Sequence, residues 1–225
     1  MGILTDDSAL REKRYVFVDR HEAGRRLGAL IRSRQTISDP IVLAIPAGGV
    51  PVGVEIAIIL GAVLSPVIVR KVQIPGNTEA GFGAVTWDGR VLIDERLRSA
   101  LGLSQADVDA AISSTRRNVE ERVARYTAGK PFPDIAGKTA ILVDDGLASG
   151  FTMFAALDSI RALHPARSIV AVPTASSSSI ELVAPKCDEL ICANVRSSMF
   201  FAVAEAYEQW YDLDDREVMA ELGRI

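Results

Sequence analysis

The stretch from Thr139 to Leu163 constrains this chain more than any other. Ala140 to Val143 is a short apolar run with β-branched members, the pattern of a strand buried on both faces of a parallel sheet. Two carboxylates, Asp144 and Asp145, stand at its carboxyl end. A turn of small residues follows, and then a helical apolar pattern from Met153 to Leu163. In an open α/β sheet, ligands sit where strands end and helices begin. The turn offers backbone N–H groups and a helix N-terminus to an anion, and Ser149 and Thr152 add hydroxyls. Asp144 and Asp145 would repel a phosphate, so they are suited to accept hydrogen bonds from hydroxyls or to hold a cation. A ligand with a phosphate at one end and a diol beside it matches this order of groups. The plain alternative is a strand, an Asp-Gly turn and a capped helix without chemistry.

Other strand ends point the same way. Ile41 to Ile45 reads as a buried strand that runs into Pro46-Ala47-Gly48-Gly49-Val50-Pro51. Adjacent glycines there permit a tight turn and close approach of a ligand to the backbone. Pro51 suits the first turn of a helix reaching about Leu60. Val67 to Val69 reads as a strand carrying Arg70-Lys71 at its end, cations that either meet an anion or form a surface pair. Pro75 to Gly83 is glycine-rich and polar and reads as a mobile loop. Ala84 to Trp87 and Arg90 to Ile93, joined by Asp88-Gly89, predict a hairpin.

Asp19 is placed to cap a helix from Arg20 to about Arg34, so that Asp19-Arg20 lies at a strand–helix junction, where a cap with a surface arginine is slightly preferred over a role at the site. Ser104 and Asp107 form a capping box for a long helix ending near Tyr126. Its stripe Val108, Ile112, Thr115, Val119, Val123 and Tyr126 packs on the domain or on a second copy of the chain, so a homodimer is an open expectation. Arg116, Arg117, Arg122 and Arg125 are expected to face solvent. Ser168 to Val172 and Glu189 to Ala193 read as further strands. Thr174 and the serines 176–179 either hydrogen-bond a heterocyclic ligand or cap a following helix. The expected fold is therefore α/β, a mostly parallel five-stranded sheet flanked by helices in one domain of 225 residues. Segments 1–38 and 174–225 are expected to contribute a small hood over the strand ends.

Composition narrows the function classes. The net charge is −4 and no basic tract is present, so no nucleic-acid partner is expected, and an anionic substrate must be held by local donors. No run of eighteen apolar residues occurs, so no membrane partner is expected. Residues 1–12 lack an apolar signal core. The two cysteines, Cys187 and Cys192, lack a histidine–cysteine ligand cluster and read as reduced thiols of a cytoplasmic protein.

Val143 to Met153 resembles the phosphoribosyl diphosphate (PRPP) motif of the type I phosphoribosyltransferases. The resemblance extends to the uncharacterised PRPP-motif proteins of bacteria and archaea, from Phe17-Val18-Asp19-Arg20 to Trp210-Tyr211-Asp212. It implies a magnesium-dependent transfer of a 5-phosphoribosyl group from PRPP to a nitrogenous base or related heterocycle, releasing pyrophosphate. A non-catalytic PRPP-binding sensor is the alternative. By the same resemblance, Asp144 and Asp145 hold the ribose and the magnesium ion. Ala148, Ser149, Gly150, Phe151 and Thr152 cradle the 5-phosphate. Ala47, Gly48 and Gly49, with Arg70 and Lys71, meet the pyrophosphate, the peptide joining Ala47 and Gly48 being the strained, often cis, one. Pro75 to Gly83 becomes a lid, with Lys71 and Glu79 among the catalytic candidates, although Glu79 serves equally as a solvated loop carboxylate. The chain departs from the family pattern at Ala47, where many relatives carry a basic residue, and between Val195 and Gln209. Ala148 stands where some purine enzymes place an aspartate base. Phe200, Phe201, Tyr207, Trp210 and Tyr211 either line an acceptor pocket or close the core.

Overall fold

A computed structural model describes residues 3–34, 37–198 and 200–225, apart from the side chains of residues 34, 78 and 79. The main sheet contains β1 (Ile3–Asp6), β2 (Pro40–Ala44), β3 (Val63–Pro66), β7 (Thr139–Val143), β8 (Arg167–Ser176) and β9 (Glu189–Arg196). Its order is β1-β9-β8-β7-β2-β3, with every pairing parallel. A second sheet holds β4 (Val69–Ile74), β5 (Asn77–Thr86) and β6 (Val91–Ile93), all antiparallel. The helices are α1 (Arg20–Arg34), α2 (Gly49–Leu60), α3 (Glu95–Ala100), α4 (Gln105–Thr127), α5 (Phe151–Arg161), α6 (Ser177–Val183) and α7 (Asp215–Leu222).

The apolar run of β7 is buried on both sides because each side meets helices. Ile141 and Val143 pack with Ala23, Leu27 and Ile31 of α1 and Val52 and Ile56 of α2. Ala140 and Leu142 face Met153, Ala156, Leu157 and Ile160 of α5. Each such side chain removed from water contributes about 1.5–3 kcal/mol, so this central strand anchors both layers. A third cluster joins Val72, Phe82 and Val85 of the small sheet to Val108, Val119 and Tyr126 of α4 and Val218 of α7. The α4 stripe is thus accounted for within the chain. The solvent-facing expectation fails for Arg122, which is half-buried and bonds the Tyr126 hydroxyl while pairing with Asp215 of α7.

From β2 the chain steps outward through α2 to β3, whereas from β7 it steps the other way through α5 to β8. The strand order therefore reverses between β2 and β7, and an open α/β sheet binds ligands in the crevice at such a point. Both candidate loops, Gly48 after β2 and Ser149 after β7, leave these two adjacent strands at their carboxyl ends.

Several expectations are corrected. The sheet has six strands, because β1 adds an edge beside β9. The strand expected at Val67 to Val69 is divided: β3 ends at Pro66 and β4 begins at Val69, which puts Arg70 and Lys71 on the small sheet rather than at the end of a main-sheet strand. Residues 75–83 are not an irregular loop. Pro75-Gly76 is a tight turn, with Gly76 at φ +79°, and Asn77 begins β5. Of the hood segments, β1, α1, α6 and β9 belong to the main layers. The cap over the strand ends is narrower: Tyr15, Val16 and Phe17 donate backbone hydrogen bonds to Glu205 and Ala206, and Glu208 and Gln209 donate back to Phe17 and Val18.

Candidate functional site

The crevice is built from four pieces of chain. Asp144 and Asp145 follow β7, and Asp145 N–H donates to Asp144 Oδ1 at 2.9 Å. The loop after them is suspended from β8. Leu147 N–H donates to the Thr174 carbonyl at 2.9 Å, Ser179 Oγ to the Leu147 carbonyl at 2.9 Å, and Ser176 Oγ to the Ala148 carbonyl at 3.0 Å. With the carbonyls turned toward these serines, the amides of Ala148, Ser149 and Gly150 have no hydrogen-bond partner among the described residues. Phe151 N–H lies 3.4 Å from Ser149 Oγ, and α5 begins at Phe151, so the free amides sit at a helix N-terminus. The serines that the sequence left between ligand binding and capping hold this loop, and Ser176 also caps α6 by accepting from Ser179 N–H at 3.1 Å.

The second piece is the turn after β2. A Cβ on Gly48 would overlap the Asp145 carboxyl group, and one on Gly49 would lie 2.7 Å from the Val143 carbonyl oxygen and 2.9 Å from Asp144 Cα. Two glycines are required because this turn presses directly on the acidic pair. A cis peptide joins Pro46 and Ala47, one residue earlier than expected. Ala47 packs against the small-sheet cluster and supplies no cation.

The third piece is β4. One cavity of about 170 Å³ is lined by Lys71, Asp144, Ser149, Gly150 and Thr152, among others. A second, of about 250 Å³, is lined by Pro46, Arg70, Lys71, Gln73, Asp144 and Thr152. Lys71, Asp144 and Thr152 border both, so the two hollows adjoin. Arg70 is half-buried, and burial followed by the charge of Arg122 lowers its pKa. Glu79 falls in β5, and its side chain lies outside the described residues. A further cavity of about 600 Å³, beside Arg161, His164 and Lys186, is far from this chemistry at the opposite end of β8 and β9.

The fourth piece was not legible in the sequence. Arg20, expected on the surface, is 7% exposed, and its Nε donates to Asp145 Oδ2 at 2.9 Å. Asp19 does cap α1, accepting from Glu22 N–H at 2.7 Å, and this fixes Arg20 as the first helical residue. Tyr207 is buried, and its hydroxyl donates to the Asp145 carbonyl at 2.6 Å. Of the five aromatic residues near the C-terminus, Tyr207 closes the core, whereas Phe200, Trp210 and Tyr211 are exposed. Spacing offers no hint of these contacts, because 125 residues separate Arg20 from Asp145.

The electrostatics divide the acidic pair. Burial and then the charge of Asp145 push the Asp144 pKa well above the carboxylate range. Burial also raises Asp145, but the Arg20 guanidinium opposes the shift and favours its ionised form. Of the two, Asp144 is the one whose surroundings favour the neutral form more, through burial and the charge of Asp145, and a bound cation would oppose that. Among the described residues no group of three or more His, Cys, Asp or Glu side chains is arranged to hold a metal ion. At the crevice Asp144 and Asp145 would offer magnesium carboxylate oxygens, with the remaining ligands left to water and phosphate oxygens. That is the usual manner of binding this ion, and a half-buried carboxyl short of positive charge fits it.

An α/β sheet that carries an acidic pair between two strand-end turns, at the point where its strand order reverses, has the architecture of the α/β ligand-binding proteins. The chain belongs to the phosphoribosyl transferase family: residues 21–210 match the model of the phosphoribosyl transferase domain. It is 35% identical over 210 residues to two proteins of Mycobacterium tuberculosis, from strains CDC 1551 and H37Rv, provisionally named phosphoribosyl transferases. The match covers 93% of this chain and 47% of theirs, so the chain spans about half the length of these relatives. The crystal structure of TT1426 from Thermus thermophilus is similar with a TM-score of 0.74 and 35% identity, over 93% of this chain and 98% of that one. The AQ2163 protein from Aquifex aeolicus shares the fold at 13% identity and a TM-score of 0.50, over 84% of this chain and 78% of that one.

Proposed function

We propose that the crevice between the Gly48 turn and the Ser149 loop binds PRPP with magnesium and transfers its 5-phosphoribosyl group to a nitrogenous heterocycle, releasing pyrophosphate. The observation that carries this reading is the packing of Gly48 against Asp145, which brings a second anion turn against the acidic pair. A ligand phosphorylated at both ends of a ribose suits two adjoining hollows that share Lys71, Asp144 and Thr152.

In this reading, the amides of Ala148, Ser149 and Gly150 and the hydroxyls of Ser149 and Thr152 hold the 5-phosphate, with Phe151 opening the helix behind them. Asp145, kept charged by Arg20, accepts from a ribose hydroxyl, and Asp144 takes the second hydroxyl or the ion. Magnesium, if held by Asp144 with phosphate oxygens, would supply positive charge against the pyrophosphate. Gly48, Gly49 and the backbone of Ala47, with Arg70 and Lys71, face the leaving group. The bond from C1 to the pyrophosphate oxygen breaks with its electron pair on that oxygen. A nitrogen lone pair of the acceptor then forms the new bond to C1. Donors fixed at the leaving oxygen stabilise the charge that develops there. The β4–β5 hairpin stands where a loose lid was expected, and its Lys71 already reaches the crevice.

The acceptor loses a proton to solvent water or to a base other than residue 148, because Ala148 provides none. A PRPP sensor is the second reading, favoured by the missing cation at Ala47. A pyrophosphate-release screen with PRPP, magnesium and a panel of heterocycles tests both. Acceptor-dependent release that disappears in Asp144→Asn/Asp145→Asn supports transfer. Tight PRPP binding without release across the panel favours the sensor, and absence of PRPP binding rejects both.

A further inference from the structure

Arg20 does more than neutralise a carboxylate. Its Nε donates to Asp145 Oδ2 at 2.9 Å, and its Nη1 donates to the Tyr211 carbonyl at 2.9 Å. The guanidinium carbon lies 3.9 Å from the centroid of the Trp210 ring and 6.0 Å from that of Tyr207. Tyr207 in turn donates to the Asp145 carbonyl and packs on Trp210, with ring centroids 5.2 Å apart. One planar cation thus touches the ligand-facing carboxylate, a cap carbonyl and a cap indole at once. A guanidinium can do this because its donors diverge in the plane while its face stacks on an aromatic ring.

The surroundings leave Asp145 few other positions. Gly48 lies against Oδ2, the carboxylate oxygen that Arg20 bonds, and Tyr207 holds the Asp145 carbonyl. Removing Arg20 would free the carboxyl to rotate away from Gly48 and would detach Trp210 and Tyr211 from the crevice. Trp210 and Tyr211 are 36% and 56% exposed, and Arg20 joins Tyr207 on Trp210 and Glu217 on Tyr211 in securing this part of the cap.

We propose that Arg20 is a positioning residue that fixes the Asp145 carboxylate for the ribose and ties it to the C-terminal cap through Trp210 and Tyr211. One guanidinium then holds both the proposed ribose carboxylate and the cap. This inference rests on the proposed ribose site, but its link between carboxylate and cap exists without ligand.

Two measurements test it. The first uses ligand-free protein in a Trp87→Phe background, where Trp210 is the remaining tryptophan. Arg20→Met should change the Trp210 emission, and Asp145→Asn should change it in the same direction, because Asp145 anchors the guanidinium on the ring. A Trp210 emission that ignores Asp145→Asn overturns the link, whatever the protein binds. The second compares calorimetric affinities for ribose 5-phosphate and for inorganic pyrophosphate, each with magnesium. Arg20→Met should weaken ribose 5-phosphate by about tenfold or more, the scale of a lost charge-assisted hydrogen bond, and leave pyrophosphate within about twofold. Equal loss of both ligands indicates general disruption and overturns the assignment, as does loss of neither. Arg20→Lys keeps the charge without the fork; it should recover part of the affinity but not the Trp210 signal, and it serves if Arg20→Met does not fold. A wild-type protein that binds neither ligand rejects the ribose site, and the emission measurement still decides the link.

Discussion

Gly48 and Asp145 occupy one space: the turn after β2 presses so closely on the carboxyl group after β7 that no side chain fits between them. Gly48→Ala should therefore turn the carboxylate aside. PRPP affinity should fall by about tenfold or more while the circular dichroism spectrum stays unchanged. Gly49→Ala differs, because its Cβ would meet backbone at Val143 and Asp144 that cannot rotate away. Its main effect should be a stability loss of about 1–3 kcal/mol, read by urea denaturation.

Asp144 should oppose stability when no ligand is bound. Its pKa is raised above 3.8 by burial and by the Asp145 charge. The folded chain then binds more protons than the unfolded one between these two pKa values. The contribution to stability is complete below about 3.8 and is lost as pH rises through the folded value. Asp144→Asn keeps an acceptor for Asp145 N–H and removes this loss. Thermal melts in chelator should show the variant gaining on wild type as pH rises from about 4 to about 7, while magnesium-dependent PRPP binding disappears.

The two hollows should separate by probe. Thr152→Ala removes one hydroxyl from the proposed phosphate loop and should weaken ribose 5-phosphate by about five- to tenfold. Lys71→Ala should weaken pyrophosphate by more than it weakens ribose 5-phosphate. Calorimetric titration of both variants with both ligands checks this, and a reversed order would exchange the assignments of the two cavities.

A second buried arginine ends β9 beside the cap. Arg196 is 1% exposed and pairs with Glu205 at 2.5 Å, and its buried Nη1 has no partner among the described residues. Glu205→Gln should lower stability, because it removes the carboxylate paired with the buried guanidinium. Equilibrium unfolding measures it.

The thiols should be inert. Burial pushes Cys187 up to about 11 and raises Cys192 further. Iodoacetamide at mildly alkaline pH should label the protein only after unfolding, because the thiolate is the reactive species.

Local chemistry made much of the molecule legible in the sequence. The apolar run 140–143, the acidic pair and the small turn fixed a strand, a loop and a helix start, because each follows from contacts within a few residues. The same holds for the Ser104–Asp107 capping box, for Asp19 at the head of α1 and for the Asp88-Gly89 hairpin. Elements whose reasons lie elsewhere in the chain were misread. Gly83 looked like a loop residue, yet in β5 a Cβ there would lie 2.6 Å from the Leu92 carbonyl oxygen and from Ile93 Cδ1, so close strand pairing demands glycine. The edge strand β1 is four residues long and partly exposed, and only its register with β9 makes it a strand. Arg20 was indistinguishable from a surface arginine after a helix cap. Its partners lie 125 and 191 residues away, and only the tertiary fold decided that it would be buried between the acidic pair and the cap.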